Sequence, residues 1–233
     1  MIITRRQFAI ATGTLALTGA VSGGLSHWFL PAAQAQDASP AELMKPGPLG
    51  DMILGDDKAP VTVIEYASMT CPHCAAFHAQ TFPELKKRYI DTGKVRFIFR
   101  EFPLDQLAAA GFMLARCATN EMKPSEPGSE AAKIAAQRYY AMVDTLFAKQ
   151  REWAVQRPLA PMLAIAKQAG FSEDSFNACL KNQAVLDAIK ETGERGGKLG
   201  VNSTPTFFVN GKKFSGSITI DDFDKAISPF LKS

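Results

Sequence analysis

The rhythm of apolar and polar positions changes several times along the 233-residue chain, and each change marks an element. The segment GDMILGDDKAPVTVIEYAS, residues 50–68, contains two short apolar runs. The second, Val61 to Ala67, is rich in β-branched and aromatic residues and predicts a strand. From Cys71 to about Thr92 the pattern is helical, with Gly93 as its stop and Pro83 as a kink, because proline removes a backbone donor. KVRFIFREFP is a nearly continuous apolar run, as in a buried strand.

A long helical stretch follows. Asp105 is placed to cap LAAAGFMLARCAT, and Ile134, Tyr139, Met142, Val143, Leu146 and Phe147 recur on one helical face. APMLAIAKQAG and SEDSFNACLKN predict two shorter helices, the second opened by Ser172, and AVLDAIKETGERGGKLG closes the block. TPTFFVNGKKFSG then predicts a hairpin whose Asn210-Gly211 turn takes two positive φ angles, and TIDDFDKAISPFLKS a capped helix. The fold class is therefore α/β: a small sheet domain over residues 50–103 and 191–233, interrupted by an all-helical insertion over residues 104–190. The Pro-rich, polar residues 36–49 are expected to be a flexible leader.

The first 35 residues do not pattern with the rest. Arg5 and Arg6 precede a weakly apolar Ala/Leu/Thr/Gly run, no charged residue occurs between Gln7 and Gln36, and Ala33-Gln34-Ala35 has the small-x-small form of a signal peptidase site. We expect residues 1–35 to be an export signal cleaved near Ala35. Thr4-Arg5-Arg6-Gln7-Phe8 resembles a twin-arginine signal, although Ala9-Ile10 stands where Leu-Lys usually follows. The competing reading is a membrane anchor, for which the Gly, Thr, Ser and His content is poorly suited. With no cysteine near the cleavage site, a lipid anchor there is excluded.

Composition narrows the classes. At 46% hydrophobic residues the chain can bury a sizeable core. A net charge of +3, reduced by two once Arg5 and Arg6 are removed, gives no electrostatic case for nucleic acid. Export to an oxidising compartment, here the periplasm, makes four cysteines read as two pairs, Cys71 with Cys74 and Cys117 with Cys179, the latter a structural disulfide inside the helical block.

Cys71-Pro72-His73-Cys74 is the stretch with chemistry in it. Haem attachment needs His directly after the second cysteine, where Ala75 stands. Zinc is a fairer rival, since Cys71, Cys74 and His78 fall on one helical face. A structural site wants a fourth ligand, however, and His78 reads as an ordinary surface residue, so no metal and no other cofactor is expected. A bridge of such short span would stabilise little. A cysteine placed between a strand and a helix sits instead at the helix N-terminus, where free N–H groups favour a thiolate. Pro72 stiffens that first turn, and His73 can add a hydrogen bond or positive charge. These features serve thiol–disulfide exchange.

The Cys-Pro-His-Cys motif after a strand, the helical insertion and Val201-Asn202-Ser203-Thr204-Pro205-Thr206-Phe207-Phe208 together resemble the DsbA family of thioredoxin-fold oxidoreductases, over about residues 50–233. The resemblance implies a thioredoxin-like sheet domain, Cys71 as exposed nucleophile, Cys74 as buried resolving thiol, and Pro205 as a cis-proline facing them. Glu65, which from sequence alone reads as a solvated carboxylate, takes the position of an acidic residue able to carry protons to and from Cys74. Thr204 would pair through its backbone with an extended client chain, and it stands where many oxidising members have Val and isomerase-type relatives have Thr. The resemblance further implies donation of the Cys71–Cys74 disulfide to reduced, unfolded exported proteins and re-oxidation by a quinone-linked membrane protein. The alternatives are a reductase or isomerase of the same fold, and a non-enzymatic chaperone or metal-handling module. Residues 36–49 are too short for a dimerisation domain, and a monomer is expected.

Overall fold

The structure is a computed structural model that describes residues 39–119, 126 and 128–231; the expected export signal over residues 1–35 lies outside the described residues. Its β-branched and aromatic runs pair into one five-stranded sheet of order β1-β3-β2-β4-β5. The strands are β1 (Met52–Leu54), β2 (Val61–Ala67), β3 (Val95–Glu101), β4 (Thr206–Val209) and β5 (Lys212–Ser215). β2 and β3 are parallel, with Glu65 opposite Phe99 and Ala67 opposite Glu101; the other pairings are antiparallel. The hairpin joining β4 to β5 turns at Asn210 and Gly211, with φ of 45° and 91°.

Alternation along the central strands sends side chains to two cores. Val61, Val63, Ala67, Phe97, Phe99, Phe207 and Val209 face the larger one, shared with most helices. Ile64, Tyr66, Ile98 and Phe208 face a smaller one with Leu43 and Val201. Leu43 belongs to α1 (Pro40–Met44), and this corrects the expectation of a flexible leader. The buried guanidinium of Arg100 on β3 donates to the carbonyls of Leu43 and Lys45 and pairs with Asp51 at 2.8 Å, so the segment from residue 40 is held down by charge as well as by Leu43. The polar composition hid a single apolar anchor and two carbonyls aimed at a buried arginine.

After β2 the chain enters α2 (Pro72–Gln80), breaks at Thr81, and continues as α3 (Phe82–Leu85) and a π-helical turn (Lys86–Ile90). The break precedes Pro83, as its missing N–H requires. Between β3 and β4 lie α4 (Gln106–Ala118), α5 (Glu130–Ala148), the single turn α6 (Gln150–Trp153), α7 (Leu159–Gln168), α8 (Glu173–Leu180) and α9 (Gln183–Lys198). Asp105, Ser129, Ser172 and Asn182 cap α4, α5, α8 and α9 with their side chains. α9 runs unbroken through residue 190, and at Gly196 it comes so close to the Tyr66 ring that a Cβ would lie 2.7 Å from it. On α5 the expected apolar face is buried except for Ile134, which is 42% exposed one turn from the helix start. α10 (Ile220–Ile227), closed by a Thr219–Asp222 capping box, packs Phe223 against Phe77 and Phe207.

Candidate active site

The end of β2 delivers Cys71 to the N-cap of α2, with Pro72 at the first helical position. Both Cys71 and Cys74 are free thiols. Cys74 is fully buried, and Cys71 is 5% exposed. The expectation of an exposed Cys71 is thus corrected: the order of accessibility holds, but the first sulfur is at the rim of the core, covered by the loop that carries Thr204. Its thiol donates to the Thr204 carbonyl at 3.3 Å. The Thr204–Pro205 peptide bond is cis, and Pro205 is buried behind it.

Donors converge on the Cys71 sulfur. The Cys74 thiol contributes most, with the Thr204 hydroxyl and the backbone N–H groups of Cys74 and His73 adding to it; against the cost of burial they hold Cys71 down at about 5. A carbonyl can accept only from the thiol, so once Cys71 ionises the Thr204 Oγ1, buried and without a hydrogen-bond partner among the described residues, is the donor this residue can offer the anion. His73 acts through its backbone; its imidazole is exposed. Cys74 is pushed the other way, first by burial, then by donating to Cys71 and by the charge of Glu65. One residue is a ready thiolate and the other a thiol that keeps its proton.

Glu65 is the third correction. It sits on the same face of β2 as Val63 and Ala67 and is 0% exposed, where sequence alone read a solvated carboxylate. Its Oε2 meets His78 Nε2 at 3.0 Å, and its Oε1 has no hydrogen-bond partner among the described residues. Burial raises the Glu65 pKa, partly offset by His78. His78, expected at the surface, is 7% exposed; burial opposes its charge, yet Glu65 and Asp144 outweigh that and raise it to about 9. The helical spacing that suggested a ligand set had already put His78 on the cysteines' face, and that face is the one α2 buries. Among the described residues no cluster of three or more metal-ligating side chains forms, and His78 pairs with the Glu65 carboxylate.

Gln150 escaped the sequence reading. From α6 its buried Nε2 donates to the carbonyls of Met69 at 2.7 Å and Cys71 at 3.0 Å, tying the loop before α2 to the insertion. A lone glutamine in a predicted helix carries no such signal. Cys117 near the end of α4 and Cys179 near the end of α8 are joined in a disulfide, with Cα atoms 6.1 Å apart.

A helix-borne dithiol beneath a cis-proline loop, in a sheet interrupted by helices, defines a thioredoxin-fold dithiol protein. Residues 49–228 match the model of a family described as Thioredoxin. The chain is 32% identical to Wolbachia pipientis alpha-DsbA1, whose crystal structure it matches with a TM-score of 0.70 over 82% of this chain and 96% of that one. It is 33% identical over 184 residues to a Rickettsia conorii protein named as a protein-disulfide oxidoreductase, spanning 78% of this chain and 61% of that protein's length. Bacillus subtilis BdbD, in its oxidised crystal structure, shares the fold at 22% identity and a TM-score of 0.66, over 84% of this chain and 97% of that one. The chain belongs to the DsbA family of thioredoxin-fold proteins.

Proposed function

We propose that the protein is an exported thiol:disulfide oxidoreductase that donates a Cys71–Cys74 disulfide to reduced, unfolded proteins in the periplasm. The observation that carries this reading is the placement of the two thiols, Cys71 at the N-cap of α2 against the Thr204 carbonyl and Cys74 fully buried one turn on, which holds the first at about 5 and raises the second. A client thiolate attacks Cys71, the S–S bond to Cys74 breaks, and Cys74 leaves with both electrons of that bond and takes up a proton. A second client thiolate then attacks the client sulfur of the mixed disulfide and expels Cys71 as a stabilised thiolate. Whatever stabilises the reduced protein makes its disulfide a stronger oxidant. Pro205 and the Thr204 backbone form the surface on which an extended client lies, and Glu65 serves the Cys74 proton. The Cys117–Cys179 bridge takes no part.

Re-oxidation falls to a quinone-linked membrane protein, and the protein works as a monomer. The N-terminal segment supports export; among the described residues no helix is long and apolar enough to cross a membrane. The reading to set against this is a reductase or isomerase, and Thr204, whose buried hydroxyl faces Cys71, is the observation in its favour.

Alkylation of the reduced protein across pH, read by mass spectrometry, is the first test: Cys71 should label with a midpoint near 5 while Cys74 stays protected. Equal labelling, or labelling of Cys71 only above about 8.5, the range of an unperturbed thiol, removes the basis for the proposal. Equilibration with glutathione then decides direction, because an oxidant is reduced at ratios that leave a reductase's disulfide formed.

A further inference from the structure

Disulfide closure at this site has a proton to dispose of in a place closed to bulk solvent. When Cys74 attacks a mixed disulfide on Cys71, its Sγ–H must ionise inside the core, within the field of Glu65, a carboxylate that is itself completely buried. Glu65 can accept that proton on its unpartnered Oε1, but a buried carboxylate that cannot pass the proton on is filled after one turnover.

The surroundings of Glu65 offer one continuation. Its other oxygen meets His78 Nε2 at 3.0 Å, and the opposite ring nitrogen, Nδ1, lies 3.6 Å from Asp144 Oδ1. Asp144 projects from α5 with its side chain 55% exposed, whereas the His78 side chain is 2% exposed. The remaining walls around the imidazole are Phe77 of α2, Phe82 of α3, Phe99 of β3 and Phe147 of α5, with ring centroids between 4.5 and 5.6 Å away. Among the described residues the charged groups that face it are Glu65 from β2 and Asp144 from α5. Tyr140 of α5 feels the charge of Glu65 but commits its hydroxyl to the Met52 carbonyl. The buried imidazole has one carboxylate at hydrogen-bond distance from Nε2 and a second, solvent-exposed one 3.6 Å from an Nδ1 that has no hydrogen-bond partner among the described residues, so a small approach of Asp144 completes a proton wire.

We propose that Glu65, His78 and Asp144 form a proton relay that links the Cys74 sulfur to solvent through α5, with His78 and Asp144 as positioning and proton-passing residues that never touch the client. This rests on the oxidoreductase reading above. In the closing direction the Cys74 proton passes to the Glu65 carboxylate at Oε1, and the protonated His78, which loses its anionic partner as Glu65 becomes neutral, releases its Nδ1 proton to Asp144 and water. Meanwhile the Cys71–Cys74 bond forms and the leaving thiolate departs with the electrons of the broken bond. In the opening direction the same protons run inward to neutralise the departing Cys74. No net charge is left in the core, and no electron passes through the relay.

The test isolates the step. Reduced protein is mixed with oxidised glutathione between pH 5 and 8, quenched with acid, and the Cys71–glutathione mixed disulfide is counted by mass spectrometry. Its formation depends on Cys71, and its decay on deprotonation of Cys74. Asp144→Asn, a change at an exposed carboxylate, and His78→Gln, which keeps a hydrogen-bonding group for Glu65, should each lengthen the mixed-disulfide lifetime about tenfold, a modest share of what a general base contributes. Formation rate serves as the internal reference, and Asp144→Glu should restore the parent decay and its pH profile. If Asp144→Asn decays like the parent at every pH, the relay is wrong, even where His78→Gln is slow, because His78 is then only a fixed partner of Glu65. If the parent Cys71 takes up no glutathione at all, the functional reading itself fails and the relay falls with it.

Discussion

The two cysteine pairs of this molecule sit at opposite ends of helices. Cys71 is the N-cap of α2, where N–H groups from the first turn point at its sulfur. Cys117 and Cys179 are each the second-last residue of a helix, α4 and α8, where the exposed carbonyls and the negative end of the dipole oppose a thiolate. Loop length separates them too. The Cys71–Cys74 pair spans a single helical turn, whereas Cys117–Cys179 closes a separation of 62 residues. One pair is arranged so that breaking its bond yields a stabilised anion. The other is arranged so that breaking it frees a long loop and two disfavoured thiolates. Helix end and ring size, not residue type, distinguish the two pairs.

The sharpest way to break that contrast is to remove the sulfurs. Cys71→Ser should lower disulfide transfer to a reduced peptide by several orders of magnitude, because the covalent step is lost. Cys117→Ala with Cys179→Ala should leave that rate unchanged. Comparable losses in both variants would mean that the second pair takes part in exchange.

Stability should show the reverse. The Cys117→Ala, Cys179→Ala protein is expected to lose up to roughly 4 kcal/mol of unfolding free energy by the chain-entropy account of a loop of 62 residues. Chemical denaturation measures it, and an unchanged midpoint would show that the bridge constrains nothing.

At the active pair, reduction should stabilise the fold. With Cys71 depressed to about 5 and its unfolded-state value near 8.5, the thiolate adds stability that is complete above the higher value and disappears as pH falls through the lower. At pH 7 that contribution is on the order of 3 kcal/mol. The reduced protein should melt above the oxidised one at neutral pH, with the gap narrowing toward pH 5. An oxidised form that melts higher throughout would make the active pair resemble the structural one.

The smallest effect concerns the tie between the two regions. Gln150→Ala leaves the Met69 and Cys71 carbonyls without their buried donor and should cost about 1–2 kcal/mol. If the insertion helps hold the active loop, the Cys71 labelling midpoint should also move; a pure stability loss with an unmoved midpoint would confine Gln150 to packing.

Much of this was legible in the chain because it depends on local geometry. Strand periodicity located β2 and β3, Asn210-Gly211 located the hairpin turn, and Asp105, Ser172 and Thr219 capped the helices they precede. Two spaced cysteines between a strand and a helix pointed to thiol–disulfide exchange from the sequence, since both halves of the motif lie within one helical turn. Residues whose roles depend on distant neighbours were misread. His78 looked like a surface residue because its partner Glu65 is thirteen positions away on another element, and Leu43 looked like linker because the sheet face it covers is assembled from β2, β3 and β4.

The sequence by itself determined where the thiols stand relative to a helix start, and so that one would be acidic; a helix N-terminus needs no partner from elsewhere to favour an anion. Only the tertiary structure decided how far each sulfur is buried, that Thr204 covers Cys71, and that Glu65 is sealed in the core with His78 for company. Those are consequences of desolvation, and desolvation belongs to no single segment: it arises when β2, α2, α5 and the Thr204 loop close over the same few atoms and exclude water from all of them.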